Sequence, residues 1–276
     1  MRLNRRQFLV GLAGSLLTPS ISTAVWKHET EGINVSHTQI KISRLKAPLR
    51  IAHLSDLHAS EVVRWQLIEK AIDLAIAENP DLICLTGDYG TGEECPYDKL
   101  RDRLKELTKV VPGFACLGNH DGTWVDGGPR EKRALRMLQE AGFKTLYNEA
   151  ASWSKNGADI QLVGMADYWA GAFNPSAAFQ QSTNDRPVIV LCHNPDGRNP
   201  LRKQSWDLML SGHTHGGQVN LPFAYGAFAP VNDKTMIQGL HAWQNRQIYI
   251  TSGVGSLYGI RFRAAPEVSI LNLVPA

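Results

Sequence analysis

Between residues 49 and 141 the chain alternates short apolar runs with stretches in which apolar residues return every three or four positions. The run "LRIAHLSD" (49–56), bounded by Pro48 and Asp56, reads as a strand after a polar lead-in. Over 64–78, Trp65, Ile68, Ile72, Ala75 and Ile76 fall on one helical face, and Asn79-Pro80 ends that helix. "DLICLTGD" (81–88) predicts a second strand, and Tyr97, Leu100, Leu104 and Leu107 mark a second helix. "GFACLGNH" (113–120) predicts a third strand. A third helix near 129–141 is opened by Pro129 and closed by Gly142. This β-α-β-α-β-α order belongs to a parallel sheet with crossover helices. The pattern then changes. "ASWSKNGADIQLVG" (151–164) reads as a hairpin turning at Asn156-Gly157, and apolar runs at 186–192, 207–212, 247–253 and 268–273 add strands. Two packed sheets with helices outside fit this order.

The strand ends carry the chemistry. The first ends in Asp56 and His58, the second in Asp88, and the third in Asn119, His120 and Asp121; later runs end in His193 and in "GHTHGGQV" (212–219) with His213 and His215. Glycine flanks the last pair, so the stretch reads as a loop aiming two imidazoles, not as a strand or helix. In open α/β sheets the crevice beyond the carboxyl ends of the strands is where ligands bind, so residues distant in sequence can converge there. Imidazole and carboxylate together, without thiolate, suit zinc, manganese or iron. Any one of these motifs alone reads as a capped turn or a satisfied core histidine; five in order leave little room for that. His28, His37 and His241 lie outside the motifs and read as surface, and His53, inside the first strand, reads as a core-edge polar side chain.

Bulk properties narrow the class without naming it. At 276 residues the chain is long enough for one large domain with a substantial core. A net charge of +3 is too small to argue for nucleic-acid binding. Cys84, Cys116 and Cys192 sit in apolar runs, and no C-x-x-C spacing includes them or Cys95, so all four read as reduced thiols and not as a zinc site.

The series D-x-H, G-D, G-N-H-D, H, G-H-x-H over about 49–220 resembles that of the calcineurin-like metallophosphoesterases. The resemblance implies an α/β fold, a four-layer αββα sandwich. It implies two divalent metal ions, manganese by expectation with zinc or iron as alternatives. One would be held by Asp56, His58 and His215, the second by Asn119, His193 and His213, with Asp88 bridging both. Every ligand position is filled, so an active enzyme is expected: a phosphohydrolase whose nucleophile is a water bridging the two metals. His120 would face the phosphoryl group to stabilise charge or protonate the leaving oxygen. Asp121 either orients His120 or caps the next segment through its carboxylate.

Beyond residue 220, "GHTHGGQVNLPFAYGAFAPVNDK", "GMADYWAG" and "SGVGSLYGIRFR" resemble a bacterial membrane-associated branch that contains phosphodiesterases and UDP-2,3-diacylglucosamine pyrophosphatases of lipid A synthesis. That implies a phosphorylated small-molecule or lipid-linked substrate. Leu221, Pro222, Phe223, Tyr225 and Phe228 would supply an apolar surface or ordinary sheet-edge packing, and Arg261 and Arg263, alternating on a strand, a second phosphate site or a solvated face. "NRRQFLVGLAGSLL" resembles a twin-arginine export signal, with Arg5-Arg6 before an apolar run from Phe8 to Leu17. Residues 1–25 are therefore expected to be a signal or an uncleaved membrane anchor, and 45–276 the catalytic domain. Export would make the protein periplasmic; an anchor would hold it on the cytoplasmic face of the inner membrane. A monomer without nucleic-acid partners is expected. Three functions stay open: hydrolysis of UDP-2,3-diacylglucosamine, a general periplasmic phosphodiesterase, and a metal-dependent binding protein without turnover.

Overall fold

The computed structural model describes residues 32–92, 95–122 and 128–276; the expected signal or anchor over 1–25 lies outside the described residues. The chain runs β1 (Asn34–Ile42), β2 (Leu49–Leu54), α1 (Trp65–Ala77), β3 (Leu82–Thr86), α2 (Tyr97–Val110), β4 (Gly113–Cys116), α3 (Pro129–Glu140) and β5 (Lys144–Thr145). It continues through β6 (Glu149–Lys155), β7 (Ala158–Gly164), α4 (Pro175–Ala178), β8 (Val188–Leu191), β9 (Leu208–Ser211), β10 (Gly239–Trp243), β11 (Arg246–Ile250) and β12 (Glu267–Pro275).

Two six-stranded mixed sheets result, in the orders β1-β12-β2-β3-β4-β5 and β10-β11-β9-β8-β7-β6. In the first, β2 to β5 are parallel. In the second, β7, β8, β9 and β11 are parallel. Alternation along each strand builds the layers. Ile83 and Leu85 of β3 pack on α1 to α3 with Ile68, Ile72, Leu100, Leu104 and Leu138. Their neighbours Leu82 and Cys84 point the other way, into the inter-sheet core with Leu162, Leu191, Leu208 and Leu210. Each such side chain, fully buried, contributes roughly 1.5–3 kcal/mol of apolar transfer free energy. The hairpin turn is where its residues require it: Asn156 and Gly157 both have positive φ, 52° and 84°, as a type I′ turn demands.

The α/β sandwich matches expectation, with three differences of detail. The polar lead-in before Leu49 is itself a strand, so the first sheet begins at Asn34, ahead of the strand expected at 49–56. β1 is an edge strand whose residues pair with β12, over two hundred positions away, and its polar outer face hides the alternation that buries Ile40 and Ile42. β10 is likewise a half-exposed edge strand. The outer face of the second sheet is covered by the four-residue α4, short 3₁₀ turns and loops packed through Phe179, Leu201, Trp206 and Met236, not by long helices. Among the described residues no helix is long and apolar enough to cross a membrane.

Candidate metal centre

Parallel pairing puts the C-terminal ends of β2, β3 and β4 at one edge of the first sheet, and those of β8 and β9 at the matching edge of the second. The loops that leave those ends carry Asp56, His58, Asp88, Asn119, His193, His213 and His215, and the structure brings all seven together. Two groups of ligand atoms form, each within 4.8 Å: Asp56, His58 and His215, and Asp88, His193 and His213. Asn119 Oδ1 lies 3.1 Å from His193 Nε2, which places it with the second group. Asp88 stands between them. Its Oδ2 is 3.5 Å from His58 Nε2 and 3.3 Å from His193 Nε2.

The outward-turned nitrogens of His193, His213 and His58 are fixed by the backbone and by one hydroxyl, while Nδ1 of His215 is buried without a hydrogen-bond partner among the described residues. His193 donates from Nδ1 to the Thr86 carbonyl at 2.6 Å, and His213 from Nε2 to the Pro230 carbonyl at 3.1 Å. His58 Nδ1 meets Thr91 Oγ1 at 2.5 Å. Each bond leaves the other ring nitrogen facing the centre. His58 Nε2 and His215 Nε2 then face each other at 3.1 Å, beside Asp56.

The electrostatics fit a pair of cations. Burial opposes the charge on Asp56, but His215, His58 and His193 outweigh it and hold this carboxyl well below its usual range. Asp88 is likewise held ionised against burial, chiefly by His193. Burial pushes His213 down to about 3, with the positive His193 adding to it, and pushes His215 well down. Burial also opposes a proton on His193, yet Asp88, Asp56 and Asp167 overcome it and raise the pKa to about 10. His193 Nε2 and Asp88 Oδ2, 3.3 Å apart, face a point where a divalent cation would take the place of a proton. Two buried carboxylates kept ionised among inward-facing imidazoles are a donor set for hard or borderline divalent ions.

The backbone is bent to make this set. Asp56, His58, Asp88, His213 and His215 all have positive φ, between 47° and 68°. That region is uncommon for residues with a Cβ, and its concentration here marks a functional site. Two glycines allow the close approach: a Cβ on Gly212 would lie 2.2 Å from Asp56 Oδ2, and one on Gly118 would lie 2.3 Å from Asp88 Oδ1.

The remaining expected residues divide. The His120 ring lies edge-on to His58 with centroids 5.1 Å apart, and its amide donates to Asp88 Oδ1 at 2.8 Å. Burial lowers its pKa, with Asp88 opposing. The Asp121 carboxylate accepts from the amides of Asp88, Tyr89 and Gly118 at 2.7–2.8 Å. Its place is thus beneath the Asp88 and Asn119 loops, tying them together. Burial and Asp88 push it up to about 7 against the amides of Gly118 and Tyr89 and the charge of His193. Arg261 differs most from expectation. It is 1 % exposed, and its guanidinium donates to the carbonyls of Ser252, Gly253, Gly255, Ala264 and His215. Those donors are spent on the loop that carries it and on the His215 carbonyl. Nor do Arg261 and Arg263 alternate on a strand; only an isolated bridge from Val219 to Phe262 forms. Arg263 is exposed.

His53 is fully buried, with Nε2 2.8 Å from Thr86 Oγ1. Thr86, Thr91, Pro230 and Trp169, whose ring stands edge-on to His213 at 4.4 Å, were not singled out from sequence. Two of them act through carbonyls, which no residue type announces. Of the aromatic stretch, Phe223 and Tyr225 are exposed. The four cysteines are free, and burial raises the thiol pKa of Cys84, Cys116 and Cys192.

Comparison with known proteins agrees with this geometry. The family model described as calcineurin-like phosphoesterase matches residues 49–217. The chain is 40 % identical over 279 residues to phosphodiesterase YaeI of Escherichia coli, covering 99 % of this chain and 100 % of that protein. It is 27 % identical to the UDP-2,3-diacylglucosamine pyrophosphatase LpxG of Chlamydia trachomatis, covering 95 % of this chain and 97 % of the other. Among solved structures, TT1561 of Thermus thermophilus superposes with a TM-score of 0.50 at 12 % identity, over 75 % of this chain and 90 % of that one, a likeness of fold alone. The chain belongs to the calcineurin-like phosphoesterase family and is a metal-dependent phosphoesterase.

Proposed function

We propose that the protein hydrolyses a phosphodiester or pyrophosphate bond in a lipid-linked substrate at a two-metal centre. The observation that carries the chemistry is Asp88 Oδ2 lying between His58 and His193, at the junction of two ligand groups. Asp56, His58 and His215 would hold one divalent ion, Asn119, His193 and His213 the other, and Asp88 both. Bound there, the ions would supply Lewis acidity toward the phosphoryl oxygens and an activated water. The chain's own part is to orient the ligands through Thr86, Pro230 and Thr91, and to set the His120 imidazole beside the centre. There it would protonate the departing oxygen or stabilise its charge. An acid so placed has no use in a protein that only binds metal, which argues against the non-catalytic reading.

Likeness to LpxG and the exposed Phe223 and Tyr225 support a substrate with acyl chains, and UDP-2,3-diacylglucosamine is the compound of choice. Arg263, exposed near Tyr225, is the cation that would meet a second phosphate; Arg261 no longer serves that reading. Residues 1–25 would be a signal or anchor that keeps the enzyme at the inner membrane. The higher identity to YaeI favours a second reading, a general phosphodiesterase acting on a periplasmic diester. The two are separated by kcat/KM for acylated and deacylated UDP-sugar, at equal concentration with manganese. Acyl chains should raise it, since each buried methylene contributes about 0.8 kcal/mol. No gain from acylation hands the case to the general phosphodiesterase.

A further inference from the structure

The register of the first sheet fixes the edge at which β1 begins. Asn34, at the start of β1, lies opposite Glu267 of β12 in parallel pairing, and β12 runs antiparallel to β2 with Ser269 opposite His53. The start of β1 is therefore at the same edge of the sheet as the end of β2, where Asp56 and His58 follow. The sequence ahead of β1 carries Arg2, Arg5 and Arg6 before the apolar run Phe8–Leu17.

Exposed apolar side chains gather at this edge. Three loops adjoin there. Val219 bridges Phe262, the Asn220 amide donates to the Phe262 carbonyl at 2.9 Å, and a Cβ on Gly259 would lie 2.9 Å from Val62. Their tips carry Val62, Phe223, Tyr225 and Tyr258, each at least half exposed, and Phe223 wholly so. Phe223 sits on a tight turn closed by Leu221 and Ala224. Between two of these loops opens a groove of about 320 Å³ with Val62, Val63, Leu67 and Val254 in its wall and Lys70 at its side. Lys70 at the groove and the exposed Arg263 place positive charge beside these tips, with Glu61 on the 60–64 loop. Aromatic and aliphatic tips flanked by cations match an interface of acyl chains and anionic headgroups.

We propose that the metal-centre edge docks face-on to an anionic phospholipid bilayer, with the 60–64, 219–226 and 254–263 loops in the headgroup layer. A membrane-embedded phosphate ester would then reach the metal centre without leaving the bilayer. That consequence rests on the lipid-linked reading of the substrate; the docking does not.

The test uses the full chain with an environment-sensitive fluorophore on Phe223→Cys or, at the opposite edge, on the exposed Val110→Cys. Both are made in a Cys95→Ala background, since the other thiols are buried. With phosphatidylglycerol vesicles the probe at 223 should shift to the blue and brighten, the probe at 110 should not, and added salt should weaken the response. Tyr258→Ser should raise the lipid concentration needed on the order of tenfold, as loss of one interfacial ring implies. Equal response at both positions, vesicle binding with a silent 223 probe, equal binding to phosphatidylcholine, or no binding would each overturn the proposal. Turnover of a soluble diester, measured separately, reports on the chemistry and is blind to docking.

Discussion

His193 donates its Nδ1 proton to the carbonyl oxygen of Thr86 at 2.6 Å, joining the end of β8 in one sheet to the end of β3 in the other. One bond thus does two things. It holds the two sheets in register at the edge where their loops converge, and it leaves Nε2 of His193 facing Asp88. The metal centre depends on both.

Asp88 is the residue shared by both ligand groups, so its loss should affect both ions. Asp88→Asn keeps the shape and removes the charge. Turnover of a chromogenic diester should drop by several orders of magnitude, and metal content, measured by mass spectrometry, should fall below two ions per chain. Near-normal turnover would refute the assignment.

Among the described residues, Thr91 meets the ligand set through His58 Nδ1. Thr91→Val removes that partner at nearly constant volume. Metal affinity, read by competition with a chelating dye, should weaken by roughly 10–100-fold, the usual effect of losing a ligand's hydrogen-bond partner. Unchanged affinity would mean that the hydroxyl does not orient the ring.

Asp121 ties three amides beneath the centre. Asp121→Asn sets an amide group against backbone N–H donors and should cost about 3 kcal/mol, as buried charged acceptors do when lost. For a domain of this size that lowers Tm by several degrees. A variant with unaltered Tm and reduced kcat would instead place Asp121 in catalysis, acting on His120.

Arg261 and Arg263 should part company. Arg261→Met leaves five buried carbonyls short of donors and should lower Tm. Arg263→Ala should leave Tm alone and raise KM for the acylated UDP-sugar. The opposite pattern would restore Arg261 to the substrate site.

His53 gives a pH signature. Burial, only partly offset by Glu267 and Asp56, lowers its pKa from 6.5 to about 4. The unfolded chain takes up a proton as pH falls through 6.5, while the folded chain refuses it until about 4. Stability is therefore intact above pH 6.5 and lost on the way down to 4, by about 3 kcal/mol from this group. Urea midpoints between pH 7.5 and 4.5 should fall more steeply in the parent than in His53→Asn. Parallel slopes would exclude His53 as the source.

The sequence alone determined the elements whose burial pattern is local. The runs "DLICLTGD" and "GFACLGNH" read as buried strands from their length and flanking glycines, and Ile68, Ile72 and Ala75 share a face at helical spacing. It also determined the donor set, because Asp, Asn and His at successive strand ends declare their chemistry by type. What it left out was decided by contacts between distant residues. β1 is a strand because β12 pairs with it, and its polar face says nothing of that. Asp121 and Arg261 look like functional charges in sequence. Only the fold shows that backbone amides and carbonyls, which carry no residue identity, have taken up their hydrogen-bonding capacity. The same holds for Thr86 and Pro230, which orient His193 and His213 through main-chain oxygens. Side-chain type is written in the chain; the position of a carbonyl is set by packing, and the geometry of the centre lies in those positions.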